Sequence, residues 1–158
     1  MSASPLHVRA AGLADLETLI DTRVALFREL GQGPSESALP EFRARCRESM
    51  SEVLRDGRGA AWLAVSREQA VRGVAILLEY PRLPSPKNLR IREGYALNVY
   101  VAPEARRQGV ASALMAAAIE EARRRGLARV RLHATPDAVA VYARLGFAHR
   151  DDEMELTL

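Results

Sequence analysis

The residues best suited to chemistry form one run, Arg106-Arg107-Gln108-Gly109-Val110-Ala111. An apolar stretch at 95–101 precedes it, and an amphipathic helical pattern at 110–125 follows. A strand, a short turn and a glycine-bearing helix start make an anion site. The first amides of a helix have no partner within it and point outward, and the macrodipole adds about half a positive charge at that end. Gly109 removes a side chain where a ligand has to approach the backbone, and Ala111 keeps the next exposed position small. Arg106 and Arg107 add fixed charge suited to phosphate. Two other phosphate-binding patterns are excluded. A P-loop ends in Gly-Lys-Ser/Thr, and the one lysine, Lys87, lies elsewhere. The dinucleotide fingerprint needs three spaced glycines after the first strand of a βαβ unit, whereas this run has a single glycine and comes late in the chain.

A second segment, 137–147, reads as a short helix closed by Gly146, the usual left-handed cap, with Phe147 starting a strand. The first run has the form Gln/Arg-x-x-Gly-x-Gly/Ala after a strand and Val101-Ala102-Pro103; the second contains Tyr142-x-x-x-Gly146-Phe147. Together they resemble the pyrophosphate-binding and Tyr-x-x-x-Gly-Phe segments of the GNAT superfamily, the GCN5-related N-acetyltransferases. The resemblance covers residue 95 onward in detail and the remainder in order of elements.

Those elements must position the site. Strands are expected at 6–10, 60–66, 71–80, 95–101 and 129–134, with a final hairpin of 147–150 and 153–158. Helices are expected at 15–30, from 37–40 to 54, at 110–125 and at 137–145. Residues 81–93 form a loop with three prolines and four basic residues. The order βααβββαβαββ is that of the GNAT fold. It implies one α/β (α+β) domain over 1–158, a mixed, mostly antiparallel sheet of about seven strands flanked by four helices.

At 158 residues, 48% apolar and 27% charged, the chain suits one soluble domain. No apolar run approaches the roughly 18 residues of a membrane span. Residues 1–5 lack the pattern of a secretory leader, and a single cysteine, Cys46, is consistent with a reducing cytoplasm. The net charge of +3 is uneven: residues 81–131 hold eleven basic and four acidic groups, an excess of +7, and the rest hold twelve and sixteen, or −4. Positive charge is therefore expected around the phosphate site. Nucleic acid is disfavoured, because the basic segment lacks interleaved aromatics and any nucleic-acid motif.

The resemblance implies acetyl-CoA as donor, no metal, and a primary amine of a small molecule or protein as acceptor, attacking the thioester directly. It implies that the sheet splays beside Val99, Tyr100 and Val101. The backbone of Val99 and Val101 would then bind pantetheine and the acetyl carbonyl, one amide facing the developing oxyanion. Arg106, Arg107, Gln108, Gly109, Val110, Ala111 and Ser112 would cradle the pyrophosphate. Tyr142 matches the family's general acid, and a neutral phenol can protonate a thiolate at pH 7; it can also contact the cofactor sulfur. Many relatives place a Glu base inside the core strand or the strand after the binding helix, and neither strand here offers one. Glu93 and Glu79 stand at strand ends, while His133 occupies the later strand's end and could accept a proton directly or through water. A structural His is the competing reading of His133, as it is for His7 and His149. Thr135 stands where many relatives carry a cofactor-contacting Asn, and it could instead cap the helix after Pro136. Cys46, without an adjacent His, reads as packing. The alternatives to transfer are an acetyl-CoA binder without efficient turnover and a basic binder of anionic surfaces. Homodimerisation is compatible with all three.

Overall fold

The computed structural model describes residues 6–158; residues 1–5, read above for a leader, lie outside the described residues. Strand β1 (His7–Ala11) leads through a 3-10 turn to α1 (Leu16–Glu29) and α2 (Leu39–Arg55). Strands β2 (Gly59–Val65), β3 (Val71–Pro81) and β4 (Arg92–Val101) follow, then α3 (Val110–Arg124), β5 (Val130–Arg131) and α4 (Val139–Arg144). The sheet order is β1-β2-β3-β4-β5, antiparallel until β5, which runs parallel to β4.

The middle strands are apolar on both faces because both faces are covered. Val110, Leu114, Ala118 and Ala122 recur every four residues along α3 and pack on Trp62, Ala64, Ala75 and Leu77. On the other face Leu19 of α1 and Met50 and Leu54 of α2 meet Ala61, Leu63, Val74 and Ile76. The turn into α1 is set by Asp15, whose carboxylate accepts bonds from the Gly12 amide at 3.0 Å and from both terminal nitrogens of Arg9.

Two expectations are corrected. The sheet has five strands among the described residues rather than about seven, and β5 is two residues long. Residues 147–150 and 153–158 carry no strand. The alternating Met154, Leu156 and Leu158 are a strand pattern, but all three are exposed. A strand needs an edge to pair with, and β5 offers only two residues. The charged run Arg150-Asp151-Asp152 stays in solvent, and Glu153 is held by the Arg131 side chain instead of by a ladder.

The second correction concerns charge. Much of the basic excess lies in ion pairs away from the start of α3. Glu79 binds Arg92 at 2.6 Å and Arg125 at 2.8 Å. Buried Glu93 accepts from the Tyr80 hydroxyl at 2.7 Å and from Arg129 at 2.5 Å, with Arg82 and Arg131 beside it. These groups gather near the C-terminal end of α3, about 22 Å from its start at 1.5 Å per residue.

Arg124 and Arg125 both donate to Glu121 and hold its carboxyl down at about 2. A depressed carboxylate stabilises the fold above its unfolded value of about 4.3, and that contribution disappears as pH falls through the folded value. We predict that Glu121→Gln lowers neutral-pH stability by about 1–2 kcal/mol, allowing for partial exposure. The gap between the two unfolding curves closes between about pH 5 and pH 2. A gap that persists at pH 2 would contradict this.

Candidate active site

The site begins with an irregularity in β4. Ile76 faces Leu97 and Val74 faces Tyr100, so Asn98 and Val99 together oppose Ala75. The extra residue is a bulge, and it bends the strand. Asn98 takes the strain at φ 52°, a conformation asparagine tolerates better than most side chains. Its amide nitrogen faces the Leu19 carbonyl and the Thr22 hydroxyl, both at 3.5 Å, and its buried Oδ1 has no partner among the described residues. On the other side of β4 the ladder to β5 holds only Gly94–Val130 and Tyr95–Arg131. Because β5 ends at Arg131, the edge of β4 beyond Tyr95 has no strand partner on that side, and this unpaired backbone edge at Val99, Tyr100 and Val101 forms the opening between β4 and β5; the Val99 and Val101 side chains pack in the core.

The start of α3 lies at the end of this opening. After the 3-10 turn Pro103–Ala105, both Arg107 (φ 61°) and Gly109 (φ 78°) are left-handed. The backbone amides of Arg107, Gln108, Gly109, Val110, Ala111 and Ser112 donate to no carbonyl among the described residues. Consecutive free amides in such a turn form an anion-binding concavity. A Cβ added at Gly109 would enter open space, the space a bound phosphate needs. Gly73 of β3 lets the helix sit this close: a Cβ there would lie 2.8 Å from the Tyr100 carbonyl and 2.9 Å from Val110. The Val110 side chain is buried in the core, so only its backbone is available to a ligand.

The two arginines diverge. Arg106 donates to Glu29 at 2.6 Å and to the Val101 carbonyl at 3.0 Å. It braces the turn against α1, and it occupies a carbonyl that the resemblance assigned to pantetheine. Gln108 likewise donates to the Glu104 carbonyl at 3.0 Å. Arg107 is exposed and has no ion pair among the described residues. We predict that Arg107→Ala weakens acetyl-CoA binding by about 1–3 kcal/mol, and that added salt narrows the difference from wild type. For Arg106→Ala the loss is less salt-sensitive, because its charge is already paired. Titration calorimetry at two ionic strengths checks both; an Arg107 loss independent of salt would count against a charge role.

Tyr142 lies on α4, 8% exposed, packed with Ala96 of β4 and Met115 of α3. Its ring meets Phe147 edge-on at 5.8 Å. Gly146 at φ 97° turns the chain so that the Phe147 amide donates to the Tyr142 carbonyl at 3.0 Å, the left-handed cap expected of this segment. Burial raises the phenol above its ordinary value, which keeps it protonated and able to donate. His133 is exposed after β5, and its Nδ1 contacts the Tyr95 hydroxyl. Tyr142 and His133 both line one cleft of about 630 Å³, together with Leu132, Val139 and Phe147. None of residues 99–112 lines it. The structure therefore brings Tyr142 and His133 to one cleft and sets the unbonded amides at the start of α3 apart from it.

Most of the remaining candidates lie elsewhere. Thr135 closes the turn through its carbonyl, which accepts from the Ala138 amide at 2.9 Å; its hydroxyl makes no cap. Glu79 and Glu93 are held by arginines. Burial pushes the Glu93 carboxyl up, but the Tyr80 and Arg129 hydrogen bonds and the charges of Arg129 and Arg131 leave it below its usual range. That makes it a weak proton acceptor. Cys46 is buried, and burial raises its thiol against the opposing charge of Arg23, a setting that suits packing. His7 is exposed on β1, whereas His149 is exposed and lines the same cleft as Tyr142 and His133. Among the described residues no cluster of His, Cys, Asp or Glu could hold a metal. Sequence reasoning missed Tyr95 and Asn98. An asparagine inside an apolar strand was the available signal.

Comparison with known proteins fits this geometry. The profile of the acetyltransferase (GNAT) family matches residues 24–147. A GCN5-related N-acetyltransferase from Ralstonia eutropha JMP134 is 30% identical, covers 97% of this chain and 99% of its own, and superposes with a TM-score of 0.83. A predicted acetyltransferase from Clostridium acetobutylicum, solved with acetyl-CoA, is 24% identical over 97% and 96% of the two chains, with a TM-score of 0.84. A transcriptional regulator from Bacillus halodurans C-125 is 25% identical over 98% and 100%, at 0.75. Among proteins of curated function, none matches the sequence significantly. The chain belongs to the GNAT acetyltransferase family.

Proposed function

We propose that the protein transfers the acetyl group of acetyl-CoA to a primary amine of a small molecule or protein, acting in the cytoplasm and without a metal. The observation that carries this reading is the run of unbonded amides at the start of α3, reached from the opening between β4 and β5. Acetyl-CoA supplies an activated thioester and a pyrophosphate anchor. The amides from Arg107 to Ser112 would hold the pyrophosphate, with the Arg107 side chain adding charge. The open edge of β4 at Val99, Tyr100 and Val101 would orient the pantetheine arm, and a β4 amide there would face the carbonyl oxygen as it gains charge. Tyr142 approaches the same strand from the α3 face and would protonate the departing sulfur.

The neighbours named as acetyltransferases, one solved with acetyl-CoA, support the donor. Membership of the acetyltransferase (GNAT) family supports an amine as the acceptor. A role as a basic nucleic-acid binder is weakened by the arginine–carboxylate pairs that absorb much of the basic excess. The test is a CoA-release screen over amine classes, run beside thermal unfolding with acetyl-CoA. Stabilisation together with amine-dependent release is expected. Stabilisation without release for any amine would make the protein an acetyl-CoA binder, and no stabilisation at all would overturn the assignment of the donor.

A further inference from the structure

The proposed transfer needs a proton acceptor, and the two glutamates at the strand ends are poorly suited to supply one. Glu79 and Glu93 are held by arginines, and Leu97, the next residue of β4 on the face of Tyr95, cannot accept a proton. The pairing register locates the side from which an acceptor group can act. Tyr95 faces Leu78, and Leu97 faces Ile76. Leu78, Leu97 and Ile76 belong to the cluster beneath α1 and α2. Ala96 points the opposite way and packs against Tyr142. Tyr95 and Tyr142 therefore approach β4 from opposite faces, near the point where β4 and β5 part. In the tetrahedral intermediate nitrogen and sulfur sit on one carbon, so groups on either face of β4 can serve them. Tyr142 is assigned to the sulfur, which leaves Tyr95 available to the incoming nitrogen.

Tyr95 does not stand alone. Its hydroxyl contacts Nδ1 of His133 at an exposed position, and the two rings lie 5.7 Å apart at 48°. His133 is exposed, so its outer nitrogen reaches solvent. Resting on the reading above, we propose that Tyr95 and His133 form a proton relay for the acceptor amine, with Tyr95 the link that touches the amine and His133 the base behind it. The ammonium proton passes to Tyr95 Oη as the Tyr95 O–H proton passes to Nδ1 of His133. The imidazolium releases its Nε2 proton to water, and exchange with water restores the starting tautomer. The neutral amine attacks the acetyl carbon, and the C–N bond forms as the C–S bond breaks. Tyr142 gives its proton to sulfur and regains one from the nitrogen of the new amide. One proton in total leaves to solvent.

The first arm of the test needs neither acetyl-CoA nor an identified amine. In nitrogen-15 NMR of histidine-labelled full-length protein, neutral His133 is expected to carry its proton on Nε2, with Nδ1 accepting. Tyr95→Phe, which keeps the ring and removes the hydroxyl, should abolish that preference. A wild-type His133 without tautomer preference, or protonated on Nδ1, overturns the relay whatever the protein's activity. The second arm uses an amine that releases CoA in the screen. Tyr95→Phe and His133→Gln should each slow single turnover about 100-fold, leave stabilisation by acetyl-CoA unchanged, and show no further loss when combined. A wild-type rate in Tyr95→Phe, or losses that simply multiply, overturns it. If acetyl-CoA binds but no amine is acetylated, the functional reading fails while the NMR arm still decides the pair.

Discussion

Tyr142→Phe lowers the rate of acetyl transfer about 10²- to 10⁴-fold, the range general acid catalysis covers, while acetyl-CoA affinity and folding stay close to wild type. The phenylalanine keeps the contacts with Ala96, Met115 and Phe147 and removes only the hydroxyl. Burial raises this phenol, so it is protonated throughout the neutral range. The thiolate it serves has a conjugate acid of about 8.5 by analogy with cysteine, and a more acidic leaving thiol needs less help, so the deficit narrows with an activated thioester donor. Product release can hide the chemical step, which makes single turnover the appropriate measurement. An unchanged single-turnover rate would reduce Tyr142 to a packing residue. Weakened binding with an unchanged rate would make it a ligand contact.

Gly109→Val is expected to weaken acetyl-CoA binding by about 100-fold or more, or about 2.7 kcal/mol, because two effects act together. The position has φ 78°, where a β-branched residue carries a strain of about 1–3 kcal/mol. Its Cβ would also project into the open space before the unbonded amides, where the pyrophosphate is placed. Gly109→Asn separates the two effects: asparagine tolerates the left-handed region yet still fills the cradle. Calorimetry should therefore show a large binding loss in both variants, while thermal unfolding shows the larger stability loss in the valine variant. Wild-type affinity in a folded Gly109→Val protein would put the phosphate elsewhere.

The free amides at the start of α3 were legible in the sequence because they arise locally. A strand, a glycine and a helix start lie within fifteen residues, and the free amides follow from that spacing alone. The cap at Gly146 was legible for the same reason. What escaped depends on distant partners. Arg106 reads as a phosphate ligand until the fold brings Glu29, 77 residues earlier in the chain, beside it. The Tyr95–His133 contact spans 38 residues and requires the β4–β5 register. The bulge at Asn98 depends on a mismatch with β3 that no local pattern states. The final hairpin misled in the other direction: Met154, Leu156 and Leu158 alternate as a strand does, but pairing depends on the edge available, and β5 offers two residues.

The central claim is acetyl transfer from acetyl-CoA to an amine at the opening between β4 and β5. Its most direct test is one single-turnover reaction: wild-type protein in excess over acetyl-CoA, mixed with an amine panel, with free thiol and acetylated amine quantified together. One equivalent each of CoA thiol and N-acetyl product is expected, formed together and only when an amine is present. Thiol release without acetylated amine, or bound acetyl-CoA that survives every amine intact, would contradict it.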